Sequence, residues 1–363
     1  MTKTLVIILS ETREDVLTYD NFKQNVLDVL NADLCVCIGI KDNYDYENKY
    51  YKNALYKFLY KEPNDFGDAF DEAYKEVLHT EIDEKIIVEN NEVLLKPIHW
   101  REFLKIKNQF LGGIKDEHNQ HPGSAGILIF FRYFLLKNII NNNLINKYDR
   151  FIITRSDFIY LLPYPELNLL DEKYIWIPDG ESYGGYTDRM AVLSKTNIIS
   201  YLNILNSFIL KSNDYYNKMK TSDDWNLEKV IKFHLNEENI PVKLFPYIMY
   251  SIRNNNGTTR WAQGTYNEEL GYYIKYDNEY NESTKNKKEF EESKISINDF
   301  YKNKINTQNI IEGFSIIHTK NNMWINILIC ILLLFIAIII LKKQLILKKI
   351  IKVLHKNTIN KII

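Results

Sequence analysis

Three cysteines in 363 residues leave no material for a disulfide framework, and none of them stands at a zinc-ligand spacing. Cys35 and Cys37 share one face of the strand-like stretch ADLCVCIGI, where they read as small core residues, and Cys330 lies in an apolar run near the end. A chain without disulfides suits a reducing compartment. Glycine, proline and alanine are scarce, while tyrosine, asparagine, isoleucine and lysine abound; the bias resembles that of an AT-rich genome and points to no activity. Positive charge is not in excess either. The net charge is −1, and residues 342–363 hold seven lysines and no acid, so the body upstream is acidic. An acidic body excludes a general nucleic-acid binder, which needs a basic face. His118 and His121 lack the helix and the glutamate that a zinc-protease HxxH requires and read as a solvated loop. No internal repeat is present.

The chain does have one long hydrophobic run. Residues 324–341, WINILICILLLFIAIIIL, carry no charge, open on Trp324 and are closed by Lys342-Lys343. That is enough for one transmembrane helix with Trp and Lys as interfacial anchors. The N-terminal MTKTLVIILSETRED has a short apolar run and no small-residue cleavage site, so it reads as a strand, not a signal peptide. A single span near the C-terminus, without a leader, is the pattern of a C-terminally anchored protein whose body faces the cytosol. The basic tail pulls against that topology, since lysines tend to stay cytosolic themselves. A basic amphipathic helix over 342–363 lying on an anionic membrane surface reconciles the two, with Leu345, Ile346, Ile350 and Val353 against Lys348, Lys349, Lys352 and Lys356. Glycosylation sequons at Asn256 and Asn281 would mark a lumenal body, so the side of the membrane stays open.

The body alternates strand and helix. Strands are expected at 4–9, 33–40, 150–154, 173–179 and 188–194, with a strand or strand pair over 241–253 and a hairpin or two short strands at 85–90 and 92–98. Helices are expected at 19–30, over 45–80 with a break at Pro63, at 100–111, from Ser124 onward, over 195–210 and over 224–236. This pattern predicts an α/β layered sheet with flanking helices, parallel in its first half. The domains expected are 1–255, a peripheral lobe and charged stalk at 256–320, the span 324–341 and the tail 342–363.

Ligands of open α/β sheets sit beyond the carboxyl ends of the strands. Three polar clusters fall there: Ser10-Glu11-Thr12-Arg13, Arg155-Ser156-Asp157, and DGESYGGYTDR, whose glycines turn the chain into Asp188-Arg189. The helical SDDWNLEKVIKFHL follows, with Glu228 near its start and Asp223-Asp224 suited to its dipole. Over residues 1–255 this arrangement resembles the GT-A class of nucleotide-sugar glycosyltransferases, in a branch with an Arg-Ser-Asp variant of the Asp-x-Asp motif. The resemblance is carried by Ser10 and Arg13, Gly123-Ser124-Ala125-Gly126, Tyr148-Asp149, Thr154-Arg155-Ser156-Asp157, Thr187-Asp188-Arg189 and Glu228.

The resemblance implies a GT-A-like, Rossmann-type sheet. It implies that Ser10, Arg13, Arg155, Ser156 and Arg253 bind the nucleotide sugar and that Asp157 holds Mn²⁺ or Mg²⁺ on the diphosphate. A hard cation on carboxylate oxygen would neutralise that leaving group. Arg155 stands where many relatives have an acid, and a guanidinium clamps phosphate by itself, so the transfer is expected to be metal-assisted with full metal dependence left open. Asp188 and Glu228 are the candidates for the base that takes the acceptor hydroxyl's proton, with Asp188 alternatively binding acceptor hydroxyls. The expected protein is a membrane-anchored glycosyltransferase that passes a sugar to a glycan, lipid or protein hydroxyl. The alternative is a catalytically inactive, membrane-tethered binding or scaffold protein of the same fold. A metal-dependent phosphoesterase or nuclease would need a second cluster of carboxylates or histidines near Asp157.

Overall fold

The segment TLVIIL is apolar on both faces, so it can satisfy itself only between two layers. It forms β1 (Thr4–Ser10), flanked by parallel β2 (Asp33–Ile40) on one side and parallel β4 (Arg150–Thr154) on the other. The computed structural model describes residues 2–85, 97–106, 110–115, 123–222, 224–254 and 263–307. Within them β3 (Tyr56–Lys61) continues the parallel run beyond β2. Past β4 the sheet turns mixed: β7 (Ala191–Ser194) is antiparallel to β4, β6 (Ile175–Pro178) is antiparallel to β7, and β8 (Val242–Phe245) is parallel to β6. The seven-stranded order is β3-β2-β1-β4-β7-β6-β8. The α/β class and the parallel first half are as the strand–helix alternation indicates.

Side chains of β1 part to opposite faces, as the pleat requires. Leu5, Ile7 and Leu9 join Cys35 and Cys37 in a core shared with the helices Phe66–Lys85 and Ala125–Asn141. Val6 and Ile8 join Val36, Ile38 and the Tyr19 and Phe22 rings of the helix Asp15–Phe22. The helix Ala125–Asn141 buries Phe130, Phe131, Tyr133, Leu135 and Leu136 at once, which accounts for its lack of a polar stripe.

Three helix expectations change. The tyrosine-rich stretch 45–80 is not one interrupted helix; it holds a helix Lys49–Asn53, then β3, then the helix from Phe66. In β3 the aromatic residues Tyr56, Phe58 and Tyr60 alternate and all pack on one core, a period of two inside a helix-like composition. The expected helix 100–111 is a 3₁₀ segment, Trp100–Lys105, and the helix 195–210 is divided at Asn203. Most of the expected strands at 85–98 lies outside the described residues.

From residue 256 a peripheral lobe and charged stalk are expected. A second sheet, β10-β11-β9-β5, runs antiparallel through β5 (Phe158–Tyr160), β9 (Met249–Arg253), β10 (Thr265–Asn267) and β11 (Tyr272–Ile274). It ties this region to the body, and the chain through Ile305 is one compact unit. The charged segment after β11 is a helix, Asp277–Ser293, whose buried positions are Glu279, Ser283 and Asn286. These fall at helical spacing but are polar, so a search for hydrophobic periodicity passes over them. Ser283 of the Asn281 sequon is buried there and donates to the Glu279 carbonyl, so that tripeptide is not an extended surface acceptor. Among the described residues no helix is long and apolar enough to cross a membrane. The expected span 324–341 and tail 342–363 lie outside them, as do the Asn256 sequon, Asp223, Cys330 and the HxxH pair.

Glu279 anchors this helix: it accepts from Arg189 Nη1 at 2.6 Å, Tyr247 Oη at 2.8 Å and the Ser251 backbone N–H at 2.7 Å, all buried. Removing one partner of a buried ion pair strands the other charge. Glu279→Ala should therefore lower unfolding stability by about 3 kcal/mol in denaturant titration. Lys285→Ala on the exposed face of the same helix should cost less than about 0.5 kcal/mol.

Candidate active site

β1 and β4 are adjacent and parallel, so their carboxyl ends open on one edge of the sheet. β7 is antiparallel to β4, with Ala191 opposite Ile153, and its incoming segment delivers Asp188 to the same edge. A cavity of about 860 Å³ lies there. Ser10, Arg13, Arg155, Ser156, Asp157, Asp188 and Glu228 all line it. Arg253 does not; it is buried behind Asp157.

Asp157 is 1% exposed, and both its oxygens are taken. Arg155 binds it side-on, Nε to Oδ1 and Nη2 to Oδ2 at 2.8 Å each, and Arg253 Nη1 donates to Oδ2 from the other side. Burial alone would raise this carboxyl's pKa, but Arg155 and Arg253 outweigh it and hold it well below the ordinary carboxylate range. A divalent cation needs several oxygen donors with free lone pairs. Three hydrogen bonds leave Asp157 at most one lone pair, a cation beside it would face two guanidinium groups and Lys275, and no group of three His, Cys, Asp or Glu side chains gathers among the described residues. The residues present do not fit the metal-ligand role expected of Asp157.

Ser156 is also committed. Its hydroxyl accepts from the Arg13 backbone N–H at 2.6 Å and lies 3.2 Å from the Glu11 carbonyl, while its own carbonyl accepts from Thr18 Oγ1 and Tyr50 Oη. It locks the end of β4 to the end of β1, in place of the nucleotide contact expected of it. Ser10 is different: its φ is +80°, a region β-carbon sterics disfavour, and its buried hydroxyl has no partner among the described residues. A strained residue with an unused hydroxyl on a cavity wall fits a ligand contact. Arg13 is half-exposed and pairs with Glu11. Glu14 is half-buried at the N-cap of the helix Asp15–Phe22, and its burial raises its pKa.

Asp188 and Glu228 form the second feature. Glu228 lies in the first turn of the helix Leu227–Glu237, whose Asn226 cap accepts from the Lys229 N–H at 2.8 Å. The loop before β7 docks directly on that turn: Tyr186 N–H donates to the Glu228 carbonyl at 3.0 Å. A Cβ on Gly185 would lie 2.0 Å from the carbonyl carbon of Glu228, so only glycine allows the approach. Burial, and then the Asp188 carboxylate, push Glu228 up to about 7, against the pull of Arg189 and Arg132. Arg189 is a supporting residue, buried against Glu279 and stacked 3.9 Å over the Tyr276 ring.

The site also contains residues that sequence reasoning passed over: Lys41, Glu62, Lys275 and Tyr276. Lys275 and Tyr276 follow β11, a three-residue strand too short to announce itself. The Gly271 that precedes β11, with φ +76°, was the available turn signal.

Fold and cavity together define an α/β protein with a charged ligand site at the carboxyl edge of its parallel strands. No family model matches the chain, and no curated protein matches it. Among solved structures it is similar to mouse xyloside xylosyltransferase 1 in its apo form, with 10% identity over 68% of this chain and 86% of that one and a TM-score of 0.31. A likeness of that degree carries no argument, and the chemistry of the cavity has to speak for itself.

The raised Glu228 gives a stability signature. An ordinary glutamate at 4.5 in the unfolded chain becomes one near 7 in the folded protein, so between those values the folded state binds the extra proton. The contribution is complete below pH 4.5 and lost as pH rises through 7. Relative to Glu228→Gln, the wild type should lose about 3 kcal/mol of stability from pH 4.5 to pH 8 in urea titrations at matched ionic strength.

Proposed function

We propose that the chain is a glycosyltransferase that moves a sugar from a nucleoside-diphosphate donor to a hydroxyl acceptor. The observation that supports this most is one cavity holding both a cationic cluster around Asp157 and a carboxylate pair with Glu228 near 7. A diphosphate leaving group develops charge that fixed cations stabilise. An acceptor hydroxyl needs a base whose pKa is close to the working pH. In a direct displacement, the bond from the anomeric carbon to the diphosphate oxygen breaks as the bond to the acceptor oxygen forms. The diphosphate keeps the electron pair, and the hydroxyl proton passes to Glu228, with Asp188 raising the basicity of that carboxylate. Ser10 and Arg13, at the end of β1, are placed for the nucleotide. The apolar segment 324–341 would hold this site against a membrane, on the cytosolic side, beside membrane-borne glycan, lipid or protein acceptors.

The test is turnover of a panel of UDP-, GDP-, ADP-, dTDP- and CMP-sugars by the full chain in detergent, read as nucleotide release and sugar transfer. One of the diphosphate-sugar classes should turn over and the CMP-sugars, which carry a single phosphate, should not, with kcat rising as pH passes through about 7. Glu228→Gln should lower kcat by about 10²–10⁴-fold with little change in donor KM. If no sugar nucleotide binds or turns over, the cavity belongs to a binding protein and the transfer reading is wrong.

A further inference from the structure

We propose that Lys275, acting with Arg155, binds the diphosphate of the donor directly, and that the site works without a divalent cation. This rests on the glycosyl-transfer reading and goes beyond it by naming what neutralises the leaving group. Lys275 leaves β11 where its backbone N–H donates to the Ser251 carbonyl at 2.9 Å. Ser251 is opposite Phe158 on β5, which follows Asp157. The second sheet thus carries an ammonium up to the cluster from across β9.

The ion pairing of the cavity singles this lysine out. Arg13 is paired with Glu11, Lys41 with Glu62 at 3.7 Å, Arg155 with Asp157 and Arg189 with Glu279. Among the described residues Lys275 Nζ has no carboxylate or hydrogen-bond acceptor within reach, only the Tyr276 ring at 4.9 Å. Arg155, Arg253 and Lys275 gather round Asp157, with Asp188 in range of Arg155 and Glu14 in range of Arg253. Of these only Arg253 is fully buried; Arg155 and Lys275 are partly exposed on the cavity wall, where one anion can reach both. Burial and the neighbouring Arg155 and Arg253 push Lys275 down to about 6. Asp157, the residue a metal would need, spends both oxygens on guanidinium groups. With an anion bound beside it Lys275 regains its proton, and Arg155 and Lys275 then supply the charge that a cation would bring.

Inorganic pyrophosphate is the probe, since it carries the diphosphate without base or sugar. Its binding to the full chain in detergent would be measured by calorimetry in EDTA and again with excess Mg²⁺ or Mn²⁺. It should bind in EDTA, with metal changing the affinity by less than about threefold. Lys275→Gln should weaken it at least about 10-fold, the loss of one charge-assisted hydrogen bond, Lys275→Arg should largely restore it, and the exposed Lys285→Gln should leave it unchanged. Binding that requires metal, or that ignores Lys275→Gln, or no pyrophosphate binding under either condition, overturns the proposal. Sugar-nucleotide turnover that stops in EDTA would sink this inference and leave glycosyl transfer standing. Metal-free, Lys275-dependent pyrophosphate binding without turnover of any sugar nucleotide would support the anion site and sink the transfer reading.

Discussion

The buried carboxylate of Asp157, gripped by Arg155 and Arg253, is the joint on which the site depends. Arg155 leaves the central sheet at the end of β4, and Arg253 ends β9 of the second sheet, so one carboxylate binds the two sheets together. The backbone reinforces the joint, with Ile252 N–H donating to the Asp157 carbonyl at 2.9 Å. One residue earlier, Ser156 fastens the same corner to β1 and to Thr18 and Tyr50. Taking an ion pair out of water costs several kcal/mol per charge and is offset only when each lone pair finds a donor. Here both carboxylate oxygens find donors, although Arg253 Nε and Nη2 have no partner among the described residues.

Two carboxyl groups in one cavity are driven in opposite directions. Asp157 sits among cations and is held ionised far below its ordinary range, while Glu228 sits against another carboxylate and is pushed to about 7. Glu228 occupies the first turn of a helix, where the backbone dipole favours negative charge by at most 1–2 kcal/mol. Burial and Asp188 win over it. Environments that separate two titratable groups in this way assign them different work: one is a fixed charge, the other a group able to exchange a proton near neutrality.

Much of this was legible in the sequence, for identifiable reasons. β1, β2 and β4 are runs with no polar face, and a polar residue just past such a run falls on the carboxyl edge of the sheet. That logic brings Ser10, Arg13, Arg155, Asp157, Asp188 and Glu228 together correctly. It cannot say what fills a carboxylate's oxygens, because the second arginine on Asp157 lies 96 residues further along the chain. Arg253 was marked for a phosphate and serves the aspartate instead. Lys275 was invisible because β11 is three residues long, and Glu279 because the buried side of its helix is polar.

The pairing of Arg189 with Glu279 spans 90 residues and closes late. During synthesis the central strands can pair as soon as β4 has emerged, since domains fold from the N-terminus as the chain is made. Until the helix Asp277–Ser293 has left the ribosome, Arg189 has only Glu181 as a carboxylate partner, 3.6 Å away in the finished fold. Contacts between segments so far apart are the slow ones in any fold. The edge that carries Asp188 is therefore among the last parts of the protein to become organised. A ribosome that stalls before residue 279 would release a chain with a nearly complete sheet and an unfinished cavity.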